Sequence, residues 1–229
     1  MVKDYYDVRA VFKKTGRAIF ISHLDLMRLM QRTFKRARLP VWFTKGYNPH
    51  IYLTFPLPLS LGVSSECEFM DFGMDMAAGE PDFEDIKSKM NAALPTGIEI
   101  VRLYQPVHSH TEIGSCEYTA DFYKDMPSSE LLKLFDKFMS SEKIIIKKRC
   151  KVNMKKTIVD VDIKPDITVL DKSSEDGQLH LGLRLPAGIR HSLNIVSMAS
   201  AFEGWCGFEF DKICLTRTKI LLESGEDFI

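Results

Sequence analysis

Between Lys45 and His50 the run KGYNPH sets a cation, an aromatic ring, an amide and a titratable imidazole within six residues. Lys45, Tyr47, Asn48 and His50 are groups of the kind that hold a phosphate and a base, or a polar metabolite. Gly46 and Asn48 tolerate positive φ and Pro49 fixes its own. The segment therefore reads as a loop, and loops carry function more often than strands do. The plain alternative is a tight turn whose Asn and His bond to its own backbone. A second cluster, His23, Asp25 and Arg28, lies upstream. Taken with His50, these could line a small polar pocket able to move a proton.

A larger signal is charge. Residues 1–50 hold 11 Lys or Arg against 3 Asp or Glu, a balance of 11 − 3 = +8, whereas residues 51–114 hold 3 against 10, a balance of 3 − 10 = −7. The chain as a whole is neutral. Arg28, Arg32, Lys35 and Arg36 recur on one side of a helical wheel, with Leu26, Met27, Met30, Thr33, Phe34 and Ala37 on the other. Such a cationic face is either solvated or a footprint for an anionic polymer. A second patch follows in Lys143–Asp160, with Lys147, Lys148, Arg149, Lys151 and Lys155 opposed only by Asp160. It reads as a basic hairpin for nucleic acid, or as an edge strand guarded by lysines. Asp160, Asp162 and Asp166 alternate beyond it and could serve as metal ligands or acid–base groups, but match the solvent face of a strand better. Arg190 and His191 stand at the mouth of a helix capped by Ser192, where an anion could sit. His108 and His110 have a metal-like spacing with no acid or cysteine converging from nearby sequence, so no metal is expected.

The elements that position these groups follow from periodicity. YYDVRAVF (5–12) alternates as a strand, Lys13–Arg17 is a basic turn, and Ala18–Ile21 extends it. Ser22 is a natural N-cap, with Asp25 placed to reach back to a free backbone N–H. Pro40 blocks continuation of the helix. Trp42 lies in a β-type run, 51–55 is a strand, and Pro56 and Pro58 make a rigid connector. A strand over 66–72, a helix capped by Asp82 and a strand over 98–104 complete the order β-α-β-β-α-β. The second half repeats the rhythm: a strand over 116–123, a helix capped by Ser128, strands over 144–148 and 157–163 around the basic turn, a strand over 179–185, a helix over 192–205 and a strand over 215–222. The expected fold is α+β: two ferredoxin-like subdomains with antiparallel sheets in pseudo-duplication, 1–107 and 116–229, joined by a linker over 108–115.

At 45% hydrophobic residues the chain can build a core without disulfides or metal. Five cysteines in no C-x-x-C pair suggest reduced thiols. With no signal-peptide pattern and no apolar run of membrane-spanning length, a cytoplasmic protein is expected. There is no Walker loop, dinucleotide fingerprint, nucleophile elbow or iron–sulfur cysteine triplet. No cofactor is expected.

The stretches Thr15–Arg28, Lys45–His50, Pro56–Val63 and Glu66–Asp71 resemble the bacterial radical SAM-linked protein family, a domain of unknown function found alone or fused behind radical SAM proteins. The resemblance covers about the first third of the chain. It implies a radical SAM enzyme as a partner, and, because stand-alone members are often encoded near a ribonuclease and ribosomal protein genes, work on RNA. The paired layout also resembles tRNA pseudouridine synthases, but Thr15-Gly16-Arg17 is followed by Ala18 rather than the catalytic Asp-bearing loop of those enzymes. Three functions are thus in competition: an RNA-binding or RNA-processing accessory module, a partner that presents substrate to a radical SAM enzyme, and an enzyme built on His23, Asp25 and His50.

Overall fold

The computed structural model describes residues 4–152 and 155–228, with side chains described outside 149–156. The protein is a mixed α+β structure with four α-helices among the described residues, and it divides into two compact units: Met1–Glu112 with Phe228–Ile229, and Ile113–Asp227. Among the described residues no helix is long and apolar enough to cross a membrane.

The first unit runs β1 (Tyr5–Lys14), α1 (His23–Arg36), β2 (Leu53–Thr54), β3 (Ser64–Asp75), α2 (Phe83–Ala93) and β4 (Ile98–Tyr104). Its strands lie in the order β4-β1-β3-β2, each neighbouring pair antiparallel. Leu26, Met30 and Phe34 of α1 and Ile86 and Met90 of α2 close over Val8, Ala10, Phe12, Met70, Phe72 and Ile100 in one apolar cluster. The 3.6-residue spacing on the helices and the period of two on the strands bring these residues to one core. Truncating Phe34, which has no exposure, would cost about 3–5 kcal/mol.

Among the described residues two cations are buried in this unit. Arg9 on β1 faces Asp71 on β3 directly across the ladder. Its Nε and Nη2 donate to the two carboxylate oxygens at 2.7 and 2.9 Å, and Nη1 donates to the His108 carbonyl at 3.0 Å. The guanidinium also lies 4.8 and 4.6 Å from the ring centres of Phe69 and Phe228. Lys14, only 2% exposed, ends the apolar face of β1. Its ammonium donates to the carbonyls of Ile19 at 3.2 Å and Ile21 at 2.9 Å. Burial pushes its pKa down, and the charge of Glu68 opposes that shift.

Lys14 explains a departure from the sequence reading. Ala18–Ile21 does not extend the strand; Gly16–Phe20 forms a 3₁₀ turn. Gly16 adopts φ +56°, Thr15 N–H is held by the Gly97 carbonyl at 2.7 Å, and the Lys14 ammonium gathers the carbonyls that close the turn. The Trp42 run is likewise not a strand: Val41 and Phe43 make isolated bridges to Met74 and Ile51.

The second unit runs β5 (Ile113–Tyr123), α3 (Ser128–Ser140), β6 (Ile145–Val152), β7 (Lys155–Asp162), β8 (Thr168–Glu175), β9 (Gln178–Pro186), α4 (Ile195–Cys206) and β10 (Lys212–Leu222). Its sheet has the order β10-β5-β9-β8, again antiparallel throughout, and β6–β7 is a separate two-stranded hairpin. Phe122, Phe135, Phe138, Phe202 and Phe210 meet ring to ring at the centre, with Phe202 in contact with each of the others. Strand β8 was not expected from the sequence. Asp176 and Gly177, both at positive φ, make the two-residue turn that pairs β8 with β9. Two caps differ as well. Asn194, not Ser192, caps α4 by accepting from Val196 N–H, while Ser192 bridges Ala187. Pro127 precedes α3, and the Ser128 hydroxyl accepts from Gly177 N–H instead.

Replacing Lys14 by Met keeps the length of the side chain but removes the charge and both donated bonds. The expected loss is about 1–3 kcal/mol of stability, the cost of leaving the Ile19 and Ile21 carbonyls without their donor. A fall in the urea midpoint at unchanged slope would register it.

Candidate nucleic-acid interface

Helix α1 carries the cationic face. Ser22 caps it: the Ser22 hydroxyl accepts from Asp25 N–H at 3.2 Å and donates to the Asp25 carboxylate at 2.7 Å. The carboxylate thus takes the serine hydroxyl rather than a free backbone N–H, which corrects the capping box inferred from the sequence. Asp25 also accepts from Arg28 at 3.2 Å, one turn on. These bonds, the serine hydroxyl first, hold the Asp25 carboxyl below its ordinary value. Arg28, Arg32, Lys35 and Arg36 are all exposed. Among the described residues Asp25 is the only carboxylate paired with any of them. Lys35 and Arg36 close the last turn of α1, where cations suit the helix dipole. Arg32 and Arg36 line a hollow of about 410 Å³ against Ala93, Leu94 and Pro95, at the end of α2.

The Lys45–His50 loop is bound to itself. His50 Nδ1 lies 3.1 Å from the Asn48 carbonyl and 3.0 Å from the Thr44 hydroxyl. The backbone closes the same turn through Thr44 N–H to the His50 carbonyl at 2.8 Å and His50 N–H to the Thr44 hydroxyl at 3.2 Å. Lys45 pairs with Asp4. Tyr47 is 99% exposed. His23 sets its ring edge-on to Phe55, 5.6 Å between centres. Among the described residues no hydrogen bond or ion pair joins His23, Asp25 or Arg28 to Lys45, Asn48 or His50. The structure assembles each group separately and does not bond the two together.

In the second unit Lys147 and Lys148 of β6 are exposed, and Lys148 donates to the Ser192 carbonyl at 3.4 Å. Arg149, Lys151 and Lys155 lie outside the residues whose side chains are described. Two of the carboxylates beyond the hairpin, Asp162 and Asp166, have structural partners. Asp162 accepts from Ile144 and Lys164 N–H at 3.0 and 3.1 Å, which ties the base of the hairpin and lowers its pKa. Asp166 lies 2.7 Å from His191 Nε2, which places His191 on a carboxylate rather than at a free helix mouth. His108 binds Glu112 at 3.0 Å. Among the described residues no three His, Cys, Asp or Glu side chains gather as metal ligands.

Sequence reasoning missed Arg9 and Lys14. Tyr6, Val8, Ala10, Phe12 and Lys14 share one strand parity, so Lys14 stood on the apolar face, and that was the available signal. Removing the Ser22 hydroxyl should raise the Asp25 pKa toward that of an unperturbed aspartate. Because the folded value lies below the unfolded one, the stabilisation is complete above about pH 3.9 and is lost as pH falls through the depressed value. A carboxyl NMR titration of Ser22→Ala against wild type checks this, and the same variant should lose about 1 kcal/mol of stability.

No curated protein matches the chain. Residues 8–195 match a bacterial family described as "Uncharacterized protein conserved in bacteria (DUF2344)", a span that takes in α1, the self-bonded loop and the basic hairpin, and the protein belongs to that family.

Proposed function

We propose that the protein is an RNA-binding or RNA-processing accessory module made of two ferredoxin-like units related by pseudo-duplication. The duplication is supported by strand order: β4-β1-β3-β2 in one unit and β10-β5-β9-β8 in the other are the same arrangement, with β6–β7 inserted in the second. The RNA reading is carried by one observation, the exposed run Arg28, Arg32, Lys35 and Arg36, to which only Asp25 is bonded among the described residues. Cations recurring along a helix at this spacing match a phosphate backbone, and such contacts supply affinity without reading sequence. Lys147 and Lys148 add a second cationic element.

Filter binding of tRNA and rRNA fragments tests it. Affinity should fall steeply with salt, and the triple variant Arg32→Gln, Lys35→Gln, Arg36→Gln should lower the slope of log K against log salt by about 2–3. Absence of binding at low salt, or binding indifferent to salt, overturns the reading.

A second reading, a docking partner of a radical SAM enzyme, is favoured by an apolar patch beside the same helix. Phe20, Leu24 and Leu61 are 69, 63 and 60% exposed, and Gly62 N–H, bonded to the Ile19 carbonyl at 3.0 Å, draws the Leu61 turn toward Phe20. Exposed apolar clusters mark protein interfaces. Nuclease-resistant co-purification with such an enzyme, abolished by Leu24→Asp, is the outcome this reading expects.

A further inference from the structure

The second unit holds a groove of about 600 Å³ between β6 and α4, within the roughly 300–1,000 Å³ of small-molecule sites. One wall is Ile144, Ile145 and Ile146; the other is the face of α4 that carries Ser197, Ser200, Ala201 and Gly204. Those four stand at i, i+3, i+4 and i+7, one stripe of the helix. Trp205 also lines it, 42% exposed and held against Phe138 at 5.9 Å and 68°. Lys143 and Lys147 are both exposed on the β6 side, and among the described residues no acidic side chain lines the groove. The opening is therefore apolar in its walls, hydroxyl-bearing along one side and cationic at its rim.

Gly204 sharpens the picture. A glycine inside a helix costs about 1 kcal/mol relative to alanine, and here packing does not require it, since a Cβ at Gly204 would meet nothing within 4 Å. What the missing side chain leaves is open groove next to the indole.

We propose that this groove seats a nucleotide of single-stranded RNA, the base against Trp205 and the adjoining phosphates on Lys143 and Lys147. The charge favours this occupant: two ammonium groups with no carboxylate among the lining residues complement a polyanion, and an aromatic ring beside small residues admits the flat face of a base. Ser197 and Ser200 offer donors and acceptors to its edge. Stacking of this kind distinguishes single strands, whose bases are free, from duplexes, whose bases are not. The inference rests on the RNA reading and adds to it where the strand is held and which strands are preferred.

The chain has two tryptophans, so Trp42→Phe leaves Trp205 as the sole reporter. Titration of that variant with a single-stranded uridine octamer should quench its fluorescence saturably, and a duplex of equal length should not. In the same background Gly204→Leu, which fills the groove and favours the helix, should weaken octamer binding about tenfold, one stacked base lost, with an unchanged circular dichroism spectrum. Octamer binding with no quenching and no effect of Gly204→Leu would overturn the site and leave the RNA function standing. No octamer binding at low salt would overturn both. Quenching by uridine monophosphate as tight as by the octamer would assign the groove to a free nucleotide and overturn the strand.

Discussion

The ammonium of Lys14 fixes where the cationic helix begins. It is withdrawn almost wholly from water, and an ammonium so placed carries a desolvation cost of several kcal/mol unless it is bonded and paired. Here the offset comes from the carbonyls of Ile19 and Ile21 and from the charge of Glu68. Those carbonyls belong to the residues just before the Ser22 cap, so the condition that makes Lys14 tolerable also dictates the path of the chain into α1. Thr15, bonded to Gly97, fixes the same turn to the start of β4. With its first turn set, the helix has one rotation that buries Leu26, Met30 and Phe34, and that rotation turns Arg28, Arg32, Lys35 and Arg36 outward.

The polarised charge of the sequence divides along the same line. The acidic stretch after residue 50 does act on early cations, but the inward ones: Asp71 takes Arg9, and the charge of Glu68 acts on Lys14. Its other paired acids serve neighbours within the stretch, Glu84 with Lys87, Asp85 with Lys89 and Glu112 with His108. Among the described residues none of its carboxylates reaches α1. The surplus positive charge of the first fifty residues is thus both a structural and a surface quantity, and the helix carries the surface share.

Legibility in the sequence followed how strongly each element is patterned. α1 has a cap, a dipole-matched acid and an apolar stripe, and it lies where those signals place it. β4 keeps strict boundaries between Gly97 and the polar run after Tyr104. β8 is the opposite case: TVLDKSSE lacks an apolar alternation because it is mostly exposed, and only Asp176-Gly177 betrays the hairpin. The 3₁₀ turn could not be seen because it depends on a lysine reaching across from the end of a strand. At the candidate interface, the cations of α1 were legible from helical spacing. The bonding of His50 back onto Asn48 and Thr44 was open between two readings that only geometry separates. The groove beside Trp205 was not legible at all, because its two walls come from β6 and α4, about fifty residues apart in sequence and joined only by folding.

On the proposed RNA reading the two units of the chain divide the work. Phosphate contacts from a helix face give affinity that falls with salt and does not distinguish sequence or, strongly, strandedness. A ring in a groove gives little long-range attraction, but it rewards a base that is already unstacked. The first unit has the former and no comparable groove at α1, where the hollow beside Arg32 and Arg36 is lined by Leu29, Ala93, Leu94 and Pro95 without an aromatic ring. The second has both a ring and a cationic rim in one opening. Salt sensitivity should therefore reside chiefly in the first unit and preference for single strands in the second, so that a change in either property can be traced to its own half of the chain.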